Sequence, residues 1–283
     1  MFEEEDEGNE EYEKGFKEDI ERFERSLKGE ELGFIDGDRI EALIDHYLIT
    51  GVYSKASACA DIGISQFPFN AVFFLRKAQS ISAMGKLKEA LELLSKYESM
   101  EVMSCEFALT KAAIFSQLKD SKQAIKYFKE ALSRSEWEDK DEIYLDLAME
   151  HQNTSDFQSA ILVLKEAIGL NPKNEGAIYE LAYCYDHTNE MEKAIQCYSD
   201  FIDDNPYSYT AWYNLGNAYS KLENFEKAIW AYDYCILIND EFSPSYFNLG
   251  NAYLSTDKYQ AAIDHFEKCM ELDGEDGLAL CYI

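Results

Sequence analysis

The most informative stretch of the chain is Trp212-Tyr213-Asn214-Leu215-Gly216-Asn217-Ala218-Tyr219, which returns 34 residues later as Tyr246-Phe247-Asn248-Leu249-Gly250-Asn251-Ala252-Tyr253. An alanine follows nine residues after the last tyrosine of each copy. The same alanine recurs along the whole chain at spacings of 34, 34, 36, 34, 34 and 34 residues, at Ala56, Ala90, Ala124, Ala160, Ala194, Ala228 and Ala262. The longer spacing is explained by two extra residues in the acidic loop 135–139. An internal period of this length indicates a repeat protein.

Each period contains two apolar runs with helical spacing. Leucine occurs thirteen residues before the alanine in the later repeats, at Leu147, Leu181, Leu215 and Leu249. The two runs are separated by short breaks at Gly51, Gly85, Lys119-Asp120, Ser155-Asp156 and Glu223-Asn224. Apolar residues three and four apart mark one face of a helix. Each period is therefore predicted to form two antiparallel helices that stack on their neighbours to complete a shared core.

This pattern resembles the tetratricopeptide repeat family, whose signature is W-x2-L-G-x2-Y, then A-x3-F, then P. The best match is Trp212-x2-Leu215-Gly216-x2-Tyr219 followed by Ala228-x3-Tyr232. The resemblance implies an all-α fold, a right-handed superhelical solenoid of antiparallel helix pairs. The chain is similar to acidic bacterial-type proteins that contain several such repeats. We expect seven units, at residues 37–70, 71–104, 105–140, 141–174, 175–208, 209–242 and 243–276.

The two ends of the chain lie outside these seven units. Residues 1–36 form an acidic leader, with 15 acidic against 5 basic side chains and an apolar stripe at Tyr12, Phe16, Ile20, Phe23 and Leu27. The stripe predicts an amphipathic helix that caps the first repeat or, alternatively, binds a partner or dimerises. Residues 277–283 fit the start of an eighth unit, so we expect a truncated chain whose exposed end could form a dimer.

Composition excludes several classes of function. The net charge of −29 disfavours binding to nucleic acids and to anionic membrane surfaces, because both are negatively charged. It is compatible with a neutral or basic binding partner. No apolar stretch is long enough to span a membrane, and the acidic N-terminus has no signal-peptide features. Seven cysteines without a CxxC pair indicate a reducing compartment. We therefore expect a cytoplasmic protein.

The chain shows no signature of catalysis or of cofactor binding. It contains no nucleophile elbow, phosphate-binding loop, dinucleotide-binding glycine pattern or HExxH motif. Its four histidines are scattered and none pairs with another at helical spacing. We predict a protein without enzymatic activity, without a metal site and without a cofactor.

The resemblance also indicates a binding surface. In this family the first helix of each unit lines the concave wall, and its positions 2, 5, 6, 9, 12 and 13 point into the groove. Aromatic rings supply anchoring area there, and asparagine amides can pair with the backbone of a bound peptide. The predicted partner-binding residues are Tyr179, Tyr183, Tyr213, Asn214, Asn217, Phe247, Asn248 and Asn251.

The sequence thus predicts a protein–protein interaction scaffold or adaptor that holds a peptide or partner helix in its groove. Two alternatives stay open. The chain could be the peptide-sensing regulatory module of a larger protein, or the non-catalytic part of a truncated enzyme. The leader, the repeat edges and the convex face also remain as alternative binding surfaces.

Overall fold

The computed structural model of the protein describes residues 2–97, 104–136 and 140–273. Within these residues the regular structure is entirely helical, and consecutive helices pack as antiparallel pairs. The all-α class and the repeated helix pair are therefore confirmed. The helices are α1 (Phe2–Ser26), α2 (Gly37–Ile49), α3 (Tyr53–Gln66), α4 (Ala71–Ala83), α5 (Leu87–Tyr97), α6 (Cys105–Gln117), α7 (Ser121–Arg134), α8 (Lys140–Asn153), α9 (Phe157–Leu170), α10 (Glu175–Thr188), α11 (Met191–Asp204), α12 (Tyr209–Lys221), α13 (Phe225–Ile238), α14 (Ser243–Ser255) and α15 (Tyr259–Asp273).

The chain divides into two compact units at the acidic loop that lengthens the repeat. Unit 1 comprises residues 1–134 with α1–α7, and unit 2 comprises residues 135–283 with α8–α15. From α2 onwards, each predicted repeat contains one helix pair. The predicted dimerising segment 277–283 lies outside the described residues.

The turn inside each pair uses one residue with a left-handed backbone. This residue is a glycine in the first two repeats and a non-glycine residue with φ between 55° and 59° in the other five. The next residue donates its N–H to the carbonyl five positions earlier, as Val52 does to Tyr47 and Asn224 does to Tyr219. This bond closes a Schellman-type helix end. The predicted breaks between paired helices are thereby explained.

The start of many helices is fixed by a short polar side chain. Asn70, Ser104, Asn174, Ser208 and Asn224 each accept a hydrogen bond from a backbone N–H in the first turn of the following helix. Such caps satisfy donors that lack a partner within the helix. Asp36 also occupies the position before a helix, but its side chain makes no capping bond.

The recurring small residues mark the closest helix contacts. All seven alanines of the 34-residue column are at most 2% exposed. A Cβ on Gly216 would lie 2.4 Å from the ring of Tyr232, and one on Gly250 would lie 2.6 Å from the ring of Phe266. Because any larger residue would collide with a ring of the paired helix, these glycines set how closely the two helices pack.

The leader helix α1 packs against the first repeat. Phe23 is fully buried with Ile40 and Leu43, and Phe16 and Ile20 pack against the same cluster. Polar contacts reinforce this packing, since the buried Asp19 carboxylate pairs with Arg39 at 2.5 Å. These contacts place α1 against the first repeat, and its role as a cap stays a prediction.

Candidate functional site

We call the surface formed by positions 2, 5, 6, 9, 12 and 13 of the repeats that begin at residues 141, 175, 209 and 243 the inner face of unit 2; these positions lie on α8, α10, α12 and α14. All eight predicted partner-binding residues belong to three of these helices, α10, α12 and α14. The first helices of successive repeats contact one another. Helix α10 packs against both α8 and α12, and α12 packs against α14. Residues at equivalent positions therefore form rows that cross the repeats.

On α10, the inner face exposes large aromatic side chains. Tyr179 is 65% exposed and Tyr183 is 49% exposed. Tyr183 is held in place by an edge contact with His187 at 4.5 Å, and His187 in turn stacks on Phe157 at 4.3 Å. Exposed aromatic side chains of this size are the kind of residue that is enriched at protein interfaces.

These tyrosines line a cleft of about 460 Å³ between α8 and α10. Its other walls are Met149 and Gln152 from α8 and the carboxylates of Glu180 and Asp186. Gln152 donates to Glu180 at 2.9 Å, which fixes the carboxylate across the two helices. Asp186 pairs with Lys221 at 2.5 Å, and both side chains are about half exposed. The cleft therefore combines aromatic rings with acidic groups.

Next to the cleft, α8 carries a row of acidic residues at helical spacing. Partial burial raises the pKa of the Asp146 carboxyl, and the neighbouring charges of Glu142 and Glu150 raise it further. Like charges four residues apart on a helix repel each other. Glu142 and Asp146 are exposed, whereas Glu150 is 3% exposed and accepts a hydrogen bond from Asn153.

Between α12 and α14, the predicted residues bind one another. The Asn248 amide donates to the Tyr213 hydroxyl at 3.1 Å and to the Asn217 carbonyl oxygen at 2.8 Å. The Tyr232 hydroxyl donates to the same Asn217 oxygen at 2.8 Å. Burial raises the pKa of Tyr213, which keeps its hydroxyl neutral. We expected these amides to pair with a bound peptide, but Asn217 and Asn248 already use this capacity inside the protein.

The remaining predicted residues differ in accessibility. Asn214 is only 5% exposed, so it is more deeply buried than a groove-lining residue was expected to be. Phe247 is partly exposed and packs against Phe266 with ring centroids 5.8 Å apart, and Asn251 is partly exposed on α14. Contact with a partner remains a prediction for all eight residues.

The structure adds residues that the sequence analysis did not include in the site. Gln152 and Asn153 line the cleft from the last turn of α8, and Met149 lies one turn earlier. Their signal was available, because they occupy positions 9, 12 and 13 of the first helix of their repeat. The predicted set contains only aromatic and asparagine residues of the later repeats, so it does not include them.

The described residues contain no group of three or more His, Cys, Asp and Glu side chains that could hold a metal ion. In the same residues, no helix has the length and apolar character needed to cross a membrane. These findings concern residues 2–97, 104–136 and 140–273.

Four family models match the chain, and each is described as a tetratricopeptide repeat. They cover residues 106–136, 154–206, 197–229 and 243–276. These segments of the chain are therefore similar to tetratricopeptide repeats. Such repeats mediate protein–protein interactions, and none of the four matching models describes an enzyme.

Solved structures show the same fold. A crystal structure of MamA protein is 25% identical over 60% of this chain and 92% of its own, with a TM-score of 0.50. MamA from Desulfovibrio magneticus RS-1 is 22% identical over 60% of this chain and 94% of its own, with a TM-score of 0.50. YrrB, described as a TPR protein with an unusual peptide-binding site, is 19% identical over 66% of this chain and 95% of its own, with a TM-score of 0.51. No curated protein sequence matches the chain.

Proposed function

We propose that this tetratricopeptide repeat protein is an interaction scaffold or adaptor that holds an extended peptide, neutral or basic, on the inner face of unit 2. The observation that carries the proposal is the pair of exposed tyrosines on α10, Tyr179 and Tyr183, beside the carboxylates of Glu180 and Asp186. Aromatic side chains supply contact area at a small entropic cost and often dominate binding energy. Carboxylates beside them select for positive charge.

Acidic groups around the cleft also predict how binding depends on conditions. Glu142, Asp146, Glu180 and Asp186 are exposed or partly exposed, so salt screens their attraction for a basic peptide. We expect affinity to fall as salt rises, mainly through slower association. A nucleic acid is a poor ligand for this surface because both carry negative charge.

The proposal is tested by selecting from a library of random short peptides with the full chain as bait. Enriched peptides should contain more Arg and Lys than the library. The double variant Tyr179→Ala/Tyr183→Ala should bind them roughly ten- to a hundredfold more weakly, because truncating aromatic anchors costs about 2 kcal/mol or more. The matched control is Tyr207→Ala, since Tyr207 is 84% exposed in the loop between α11 and α12.

Two results would contradict the proposal. The double variant could retain full affinity for the selected peptides, which would move the binding surface elsewhere. The enriched peptides could also show no preference for positive charge.

A cytoplasmic location is a separate proposal, supported by the cysteine pattern. Fractionation of the native cells, with an antibody against the chain as the probe, tests it.

A further inference from the structure

The outer face of α7 in unit 1 carries a row of positive charge. Lys122, Lys126 and Lys129 follow one another at spacings of four and three residues, so they lie on one side of the helix. All three side chains are exposed, and none makes an ion pair within the residues that the structure describes. The carboxylate of Glu130, which is close to them in the sequence, pairs instead with Arg134 at 2.9 Å. We call the three lysines the α7 stripe.

The α7 stripe is a property of this repeat and not of the fold. The second helices of the other six repeats are α3, α5, α9, α11, α13 and α15, and each has at most one lysine at the three equivalent positions. The repeat therefore forms without lysines there, and the buried side of α7 lies elsewhere, at Ala124, Tyr127, Phe128 and Ala131. In a chain with a net charge of −29, three neighbouring cations without carboxylate partners form a local surface that attracts an anionic ligand.

The same chain contains a segment of complementary charge. Residues 2–13, the first half of α1, contain eight acidic and no basic side chains. Four of these acids recur at spacings of three, four and three residues, which is the spacing of one helical stripe, at Glu3, Asp6, Glu10 and Glu13. The described contacts of α1 with the first repeat begin only after this segment, where Arg39 donates to the Gly15 carbonyl at 3.0 Å.

We propose that the α7 stripe is the docking site for residues 2–13 of a second copy of this chain. The acidic half of α1 lies along α7, and several of its carboxylates pair with the three lysines at once, because both charged rows have helical spacing. The leader of each copy packs on its own first repeat, whereas α7 belongs to the third, so we assign the contact to two copies. The two surfaces differ, so the contact is heterologous and joins copies head to tail.

The expected association is weak and depends on salt. Single ion pairs between exposed side chains contribute little, and salt screens them, so several pairs must act together. This inference goes beyond the proposed function, since it concerns the outer face of unit 1 and not the inner face of unit 2. Either one can fail without the other.

Sedimentation velocity of the full chain over a range of protein concentrations tests the contact. We expect the mean mass to rise with concentration at about 0.1 M salt. The association constant should fall at least roughly tenfold at about 1 M salt, where the Debye length has decreased from about 10 Å to about 3 Å. The variant Lys122→Glu/Lys126→Glu/Lys129→Glu should lower it at least as much at the lower salt concentration, because the stripe then repels the leader.

The matched control changes the net charge by the same amount at other places. Lys88, Lys173 and Lys258 are exposed and lie on α5, in the loop before α10 and in the turn before α15. The variant Lys88→Glu/Lys173→Glu/Lys258→Glu should keep most of the association. An equal loss in both triple variants would show that total charge and not the α7 stripe controls association, which would overturn the inference.

Exchanging the charges tests the pairing of the two surfaces directly. A leader variant with lysine at the four positions of the acidic row, Glu3→Lys/Asp6→Lys/Glu10→Lys/Glu13→Lys, should stay monomeric, and so should the α7 variant. A mixture of the two should associate, because the reversed leader of one chain meets the reversed stripe of the other. A mixture that stays monomeric, or a native chain that is monomeric at every concentration, would overturn the inference. Binding of a glutamate-rich peptide to the α7 stripe of such a monomer would assign the surface to another acidic protein.

Discussion

The first helices of the two units use equivalent positions in different ways. In unit 1, Arg76 of α4 pairs with Glu41 and Asp45 of α2 and with Glu106 of α6. Gln79 adds bonds to Glu106 and Thr110 at 3.1 Å. In unit 2, the α8–α10 cleft is lined instead by exposed tyrosines and partly exposed carboxylates.

This difference shows that a repeat register does not by itself define a binding site. Polar side chains at these positions link successive repeats to one another in unit 1, at the α12–α14 contact and around α10. Around α10, however, two large aromatic rings stay exposed beside them. The candidate site is therefore the region where these rings are accessible.

The largest effect is expected for Arg76→Ala in unit 1. The Arg76 side chain is 16% exposed, so its removal leaves three carboxylates close together without their cation. Removing one partner of a buried ion pair costs about 3–5 kcal/mol, and the exposure of the carboxylates reduces this to about 2 kcal/mol here. Denaturant unfolding, with hydrogen exchange of α2, α4 and α6, measures the loss.

The control is Lys86→Ala, which removes a pair between Lys86 and Glu89 in which both side chains are 59% exposed. We expect a loss below about 0.5 kcal/mol, as is usual for exposed pairs. Affinity for peptides that bind unit 2 should be unchanged in both variants. Equal losses in the two variants would show that the Arg76 cluster does not hold the repeats of unit 1 together.

An intermediate effect on the free energy of unfolding is expected at one of two asparagines that have the same local sequence. Asn248→Leu removes two hydrogen bonds and leaves Asn217 and Tyr213 short of a partner, at a cost of about 1–3 kcal/mol. Asn214→Leu removes an amide nitrogen that has no hydrogen-bond partner among the described residues, so the free energy of unfolding should stay the same or rise. Thermal unfolding of both variants checks this, and a larger loss for Asn214→Leu would contradict the difference between the two contacts.

The smallest effect concerns the leader helix of unit 1. The hydrogen bond and charge of Lys55 lower the pKa of Glu24 on α1, so the folded state holds its proton less tightly than the unfolded state. This contribution to stability is present above the ordinary glutamate pKa of about 4.3. It is lost as the pH falls through the lowered value. Hydrogen exchange in α1 should accelerate over this acidic range, and Glu24→Gln should remove the dependence that comes from this residue.

The sequence predicted much of the fold because the fold depends on short-range spacing. The helix breaks and the leader stripe follow from residues a few positions apart, and the alanine column follows from the regular 34-residue period. The partners of the asparagines could not be predicted in this way, since Asn214 and Asn248 lie in the same six-residue sequence, Asn-Leu-Gly-Asn-Ala-Tyr. Their difference comes from the preceding repeat, where Tyr183 stands in place of the asparagine found at 217.

The Arg76 cluster was missed for a related reason. Its members are 30 to 35 residues apart in the sequence, so no local pattern joins them. They become neighbours only because equivalent positions of successive first helices lie side by side. The signal in the sequence is opposite charges separated by about one repeat length, as Glu41, Arg76 and Glu106 are.

The central claim is that unit 2, around α10, binds a basic peptide while the equivalent positions of unit 1 do not. Hydrogen–deuterium exchange of the full chain, with and without a peptide selected from the random library, tests it most directly. We predict slower exchange in α8, α10 and α12 on binding, and unchanged exchange in α2, α4 and α6. Protection confined to unit 1 or to α1, with none in α10, would contradict the account.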